Sequence, residues 1–181
     1  SYRMAVQCLK IAAYYSDKGS RFNQLSRYWI AESYYRNDQY RQARELYAEL
    51  YNQSALYRQP ESYLIPYNIA YCFFKEEDFD SAAKWFATYI DGSVAEYRKD
   101  ALERIGDCHF VKKEYKSAAE TYDLVVRDFY DVNDIYPYYQ AALSYGLSRN
   151  SERKIKLLSN ALAADPSARF YPEAVYELGR A

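Results

Sequence analysis

The chain reads as an all-α protein, an α-solenoid built of antiparallel helix pairs with about ten helices, and three observations predict it. Small residues return at Ala31, Ala70, Gly106, Ala142 and Gly179, at steps of 39, 36, 36 and 37 residues. Aromatic residues follow the same period, and only 5 Gly and 5 Pro interrupt 181 residues. Half of the residues are hydrophobic although the mean hydropathy is −0.59, which is enough apolar surface for a continuous core wrapped along a stack of repeats.

Each element follows from its place in the period. Three residues after the small position of each first helix stand Tyr34, Phe73, His109 and Tyr145. The second helices repeat at the same steps, with Ala43, Ala82, Ala118 and Lys154 followed four residues later by Tyr47, Phe86, Tyr122 and Leu158. Tyr40, Phe79 and Tyr115 lie three residues before the first three of these. Two antiparallel helices approach closely only where one lacks a bulky side chain, so the small residues make the contact and the aromatics fill the space around it. A larger side chain there costs about 1–3 kcal/mol. Lys154 breaks the pattern, and a looser or tilted fourth pair is expected from it.

The turns agree with this register. NDQ at 37–39, KEED at 75–78, KKE at 112–114 and SRNS at 148–151 are short and polar. Pro66, Pro137 and Pro172 are expected in the first turn of a first helix, where a missing N–H costs nothing. Pro60 belongs to a longer loop expected at roughly 53–61. The division expected is a single solenoid over 1–181. Residues 1–20 form a second helix of a preceding repeat, 24–62, 63–98, 99–134 and 135–171 form four repeats, and 172–181 form the first helix of a truncated one. Ala5, Leu9 and Ala12 carry the first assignment, since Ala43 follows Ala5 by 38 residues. Both ends thus fall inside a repeat, and the chain is expected to be a piece of a longer protein.

These residues together resemble the tetratricopeptide repeat, whose signature is W-x2-L-G-x2-Y, then A-x3-F, then P. The third unit shows it most fully, in Leu102, Ile105, Gly106, Tyr115, Ala118 and Tyr122, and the resemblance covers almost the whole chain. It implies a right-handed superhelix whose first helices line a concave groove where partner peptides or helices lie. Carried onto this sequence, the groove set is Leu25, Tyr28, Glu32 and Tyr35, then Leu64, Tyr67, Tyr71 and Phe74. Asp100, Glu103, Asp107 and Phe110 follow, then Tyr136, Tyr139 and Leu143, and finally Tyr176. That register gives aromatic walls around an acidic step, suited to a partner with a basic residue between two apolar anchors, and Arg104 is placed to neutralise one acid. Tyrosine offers a large rigid area with a polar tip. The other reading of these positions is that many of the 24 tyrosines pack between repeats.

Composition excludes several function classes. A net charge of −1 argues against a phosphate-binding surface and therefore against nucleic acid. No run of eighteen apolar residues occurs, so no membrane span is expected. Cys8, Cys72 and Cys108 form no C-x-x-C pair and read as small buried hydrophobes rather than a bridge, which leaves the redox compartment undecided. The single histidine, His109, stands where the other repeats place an aromatic and reads as a substituted core residue. No metal site, no cofactor and no catalytic activity are therefore expected.

Two subfamilies of these repeats share some letters with this sequence. Tetratricopeptide domains that clamp the C-terminal carboxylate of heat-shock chaperones share Asn68 and Arg104, but Tyr28, Glu32 and Asp100 stand where that clamp carries Lys, Asn and Lys, and an acidic tail would meet like charge. The segment RFYPEAVYELGRA is similar to bacterial envelope members, among them outer-membrane assembly lipoproteins and the periplasmic coordinator of the Tol-Pal system. That resemblance implies an adaptor at the periplasmic face or outer membrane, with a cytoplasmic setting as the other reading. The expected function is a non-catalytic scaffold for protein partners. Its rivals are a glycan-binding scaffold of outer-membrane uptake and the sensory arm of a larger signalling protein.

Overall fold

The computed structural model describes residues 2–51, 59–92 and 96–181, and among these it contains ten α-helices and no strand. They are α1 (Tyr2–Tyr15), α2 (Arg21–Tyr35), α3 (Tyr40–Tyr51), α4 (Pro60–Lys75) and α5 (Phe79–Ile90), then α6 (Arg98–Val111), α7 (Tyr115–Asp128), α8 (Ile135–Leu147), α9 (Ser151–Ala161) and α10 (Tyr171–Gly179). The chain forms two compact units, residues 1–96 with α1 to α5 and residues 97–181 with α6 to α10. Within each unit every helix packs on the next in sequence, and alternate helices touch as well, α2 with α4 and α8 with α10. Each unit is therefore a stack of helical hairpins.

The repeat is written in the backbone. The turns after α2, α4, α6 and α8 each contain one left-handed residue at the same place: Asp38, Glu77, Lys113 and Arg149, with φ of 58°, 61°, 63° and 65°. In each turn the next amide donates back to the carbonyl of Tyr34, Phe73, His109 or Tyr145, at 2.8–3.0 Å. This closes the helix end as a Schellman-type cap. The recurring aromatic position thus also marks the carbonyl that the turn uses. Helix starts are fixed locally as well: Ser20 Oγ accepts from the Asn23 amide, the Asp78 carboxylate from Ser81, and Asn150 Oδ1 from Arg153.

The small residues lie where helices meet. Ala31, Ala43, Ala70, Ala82, Ala118 and Ala142 are completely buried, and so are Tyr47, Phe86, Tyr122 and Leu158, one turn along the second helices. A Cβ added to Gly106 would lie 2.7 Å from the Tyr122 ring, so the glycine is required for that approach. Gly179, at the equivalent position of α10, has nothing within 4 Å of such an atom.

Four expectations need correction. Pro66 is not in a first turn: α4 begins at Pro60, and Pro66 is its seventh residue. Pro60 is already shaped for a helix start, and the buried Ile65, Pro66 and Ile69 hold the helix through the missing hydrogen bond. The part of the expected loop at 53–61 that precedes Gln59 lies outside the described residues. Lys154 does not loosen the fourth pair, because Gly146 leaves room for its methylenes and Glu177 meets its Nζ at 2.9 Å. Cys72 and Cys108 are buried thiols, but Cys8 is exposed, and no disulfide joins the three. His109 is not core: it is about a quarter exposed, and its Nδ1 lies 2.6 Å from Glu114 Oε2 beside the turn.

Candidate partner-binding surfaces

In the first unit, α2 and α4 bring together Glu32, Tyr35, Tyr67, Asn68 and Tyr71 around a cavity of about 190 Å³. Four of these five belong to the expected groove set. The residues fall four apart on α4, Tyr67 with Tyr71, and three apart on α2, Glu32 with Tyr35, so one helix face presents each pair. The Tyr67 and Tyr71 rings meet edge to face at 4.9 Å, and both lean on Phe86 of α5, at 5.8 and 5.1 Å. Glu32 is held by two donors, the Tyr47 hydroxyl at 2.8 Å and Arg36 Nε at 2.9 Å. Burial first, and the Glu32 carboxylate next, hold the Tyr47 phenol far above its ordinary pKa, so it stays a donor.

Tyr28 is a correction. It is 4% exposed, its ring lies edge-on to Tyr47 at 5.6 Å, and its hydroxyl accepts from Asn68 Nδ2 at 3.0 Å. Standing three residues before Ala31, it shares the face that meets α3 and packs inward rather than into a groove. Leu25 and Leu64 are half-buried. Phe74 turns to α5, with Phe79 at 5.6 Å and Phe86 at 6.5 Å. Asn68 and Tyr47 lie outside the expected groove set, yet Asn68 lines the cavity and Tyr47 holds Glu32. The first had a signal, a lone amide among aromatics; the second had none, because its hydroxyl acts across a hairpin.

In the second unit the acidic residues are tied into a network. Asp107 accepts from the hydroxyls of Tyr122 and Tyr136 and pairs with Arg104. Arg104 also approaches Asp100 and Glu103, each at 3.7 Å, and Lys99 bridges Glu103 and Asp134. Arg104 thus meets all three acids rather than one. Burial, and then the neighbouring Asp134, push Glu103 up to about 7. Beside this network is a cleft of about 440 Å³, lined by Glu103, Arg104, Asp134, Tyr136, Arg169 and Phe170 among others. Phe170 adopts a left-handed conformation, φ 68°, just before α10, and its ring stacks on Tyr139 at 5.8 Å and tilts against Tyr136 at 5.4 Å. Phe110 and Leu143 are half-buried, and Tyr176 is 64% exposed with Arg180 over its ring at 5.5 Å. Among the described residues no group of His, Cys, Asp and Glu could hold a metal ion, and no helix is long and apolar enough to cross a membrane.

The tetratricopeptide repeat family model matches residues 28–96, which is the part of the chain holding the α2–α4 cavity and not the third unit, where the sequence signature is fullest. The third first helix carries Asp100, Glu103, Asp107 and His109 where the others carry mostly aromatics. No curated protein matches the chain in sequence. Among solved structures, a Podosopora anserina protein with nearly identical TPR-like repeats superposes with a TM-score of 0.71 at 14% identity, covering 93% of this chain and 87% of that one. The MamA protein gives 0.62 at 17% identity, over 86% and 78%. YrrB, described as a TPR protein with an unusual peptide-binding site, gives 0.64 at 17% identity, over 89% and 75%. Residues 28–96 thus match the tetratricopeptide repeat family, and the chain as a whole has the fold of TPR-like helical repeats.

Proposed function

We propose that this protein is a non-catalytic scaffold that binds a segment of a partner protein on the face made by the first helices of its first unit. One observation carries the reading: five side chains from two helices converge on a cavity instead of filling it, inside the residues that match the family. Tyr35, Tyr67 and Tyr71 supply rigid anchoring area at low entropic cost. Asn68 donates to Tyr28, which fixes its amide and leaves the carbonyl oxygen to accept from a partner. YrrB, similar in fold, is named for a peptide-binding site, and that supports a peptide as the form of the partner.

The setting we favour is the bacterial cell envelope, on the similarity of RFYPEAVYELGRA to repeat proteins of that compartment. The test is selection of binding peptides from a random displayed library, followed by titration of the selected peptides against the wild type and Tyr71→Ala, with circular dichroism showing both folded. Peptides that bind the wild type and lose affinity at least tenfold with the variant support the reading. Selected peptides that bind both alike sink it.

A further inference from the structure

The packing of α2 on α1 recurs in the packing of α4 on α3, at steps of 38 residues along the second helices and 39 along the first. In the later pair Arg44 lies over the Phe73 ring at 4.4 Å and its Nε meets Glu76 at 3.0 Å, an ion pair beside the turn. In the earlier pair Val6 stands where Arg44 does and Asn37 where Glu76 does. A pocket of about 230 Å³ lies there. Two further acids of the later pair are exchanged for amides, since Gln7 stands at the place of Glu45 and Gln39 at that of Asp78. Gln7, Asn37 and Gln39 all line the pocket, and Lys10, one turn along α1 from Val6, adds an ammonium over the Tyr34 ring at 5.6 Å. We propose that this pocket receives a carboxylate, the side chain of an aspartate or glutamate on a partner protein, in the place that Glu76 fills in the next repeat. The site is apart from the α2–α4 cavity and does not rest on the reading of that cavity.

The lining suits an anion. An ammonium brings three N–H donors and each carboxamide two. Ser33 also lines the pocket, but its Oγ donates to the Trp29 carbonyl at 2.8 Å, so the donors for a ligand are Lys10 and the carboxamides. Among the described residues no carboxylate lines the pocket, and Asp38, in the same turn, accepts from the Tyr40 hydroxyl. The Tyr34 ring holds the ammonium in place, and a cation positioned before binding loses less freedom when its partner arrives. The volume is several times the roughly 30 Å³ share of one water, which suits a carboxylate with the methylenes that carry it, laid against Val6 and Tyr34. A basic side chain would meet Lys10 directly, and an apolar one would cover the ammonium and the amides without replacing their water. Gln7, Lys10 and Asn37 are exposed, so the pocket opens to the surface, where a side chain of another protein reaches it.

The experiment titrates the protein with Nα-acetyl-glutamate methylamide and with its uncharged glutamine counterpart, followed by the side-chain amide NMR signals of Gln7, Asn37 and Gln39. The glutamate probe is expected to shift these signals saturably and to bind about three- to fivefold more tightly than the glutamine probe, the size of an exposed ion pair. Lys10→Gln is expected to erase that preference and Lys10→Arg to keep it. Asn37→Glu, which builds the acid of the next repeat into this one, is expected to close the pocket to the glutamate probe, and it provides a second reading should Lys10→Gln fail to fold. Equal shifts by the two probes, or a preference that survives Lys10→Gln in a folded protein, overturn the inference. A third probe, Nα-acetyl-alanine, carries its carboxylate at a chain terminus, and tighter binding of that probe than of the glutamate one overturns the side-chain source. None of these outcomes bears on the α2–α4 cavity, whose reading stands or falls with Tyr71→Ala and the selected peptides.

Discussion

The two units use equivalent positions of one repeat in opposite ways. In the first, Glu32 and Tyr71 occupy the same repeat position and face a cavity whose walls are aromatic. In the second, Asp107 stands at that position and is consumed by Tyr122, Tyr136 and Arg104. The difference teaches that one repeat position can leave its acid, paired with a single exposed arginine, at the edge of a cavity, or tie it to two tyrosine hydroxyls and an arginine. One position thus lines a cavity in one unit and serves cohesion in the other.

Breaking the network should have the largest effect. Asp107→Ala removes the acceptor for two tyrosine hydroxyls and one of the three acids that meet Arg104, and truncating one partner of a largely buried charged pair costs about 3–5 kcal/mol. Chemical denaturation should show that loss, whereas Glu32→Ala, which strands only the buried Tyr47 hydroxyl, should cost about 1–3 kcal/mol. If the two variants lose equal stability, the contrast between the units is mistaken. Next comes Gly106→Ala: its new methyl would meet the buried Tyr122 ring and should cost about 1–3 kcal/mol by the same measurement. Gly179→Ala meets nothing and should be neutral or slightly stabilising, since alanine favours a helix by up to about 1 kcal/mol over glycine.

A pH series sharpens the comparison further. Glu103 has its pKa raised in the folded state to about 7, so the folded protein holds a proton that the unfolded chain releases near pH 4.3. Stability from this group is therefore greatest at low pH and falls as pH rises from about 4.3 through about 7. Glu103→Gln should flatten that part of the Tm profile, and an unchanged slope would show that Glu103 ionises freely. The smallest effect is expected at the turns: Lys113→Gly relieves a left-handed lysine and should raise stability by about 0.5–1 kcal/mol, read as a small rise in Tm.

The fold was legible because its physics is periodic. Ala31, Ala43, Ala70, Ala82, Ala118 and Gly106 announce close helix contacts by size alone, and the aromatics one turn away announce what fills the space between. The turns were legible in place but not in form, since Asp38, Glu77, Lys113 and Arg149 share no side-chain chemistry that would mark a left-handed residue. The site was legible only in part. Counting along the helices gathers Glu32, Tyr35, Tyr67 and Tyr71, but Tyr28 carries the same letter as Tyr67 and is buried by α3. Whether a tyrosine faces a cavity or a neighbour depends on the partner helix, and no spacing within one helix encodes that. Arg104 could be matched to one acid of α6 by spacing, but the rest of the network escaped for a similar reason: Tyr136 reaches Asp107, and Asp134 shares Lys99 with Glu103, from an adjoining hairpin.

The central claim is that partners are held at the first-helix face of the first unit, and photo-crosslinking tests it most directly. A benzoylphenylalanine would replace Tyr71 in one variant and Tyr130, which is 73% exposed in the second unit, in another, each irradiated with a peptide selected on the wild type. The account predicts a covalent adduct at position 71 and none at 130. An adduct at 130 with none at 71, from variants that both remain helical, would contradict it.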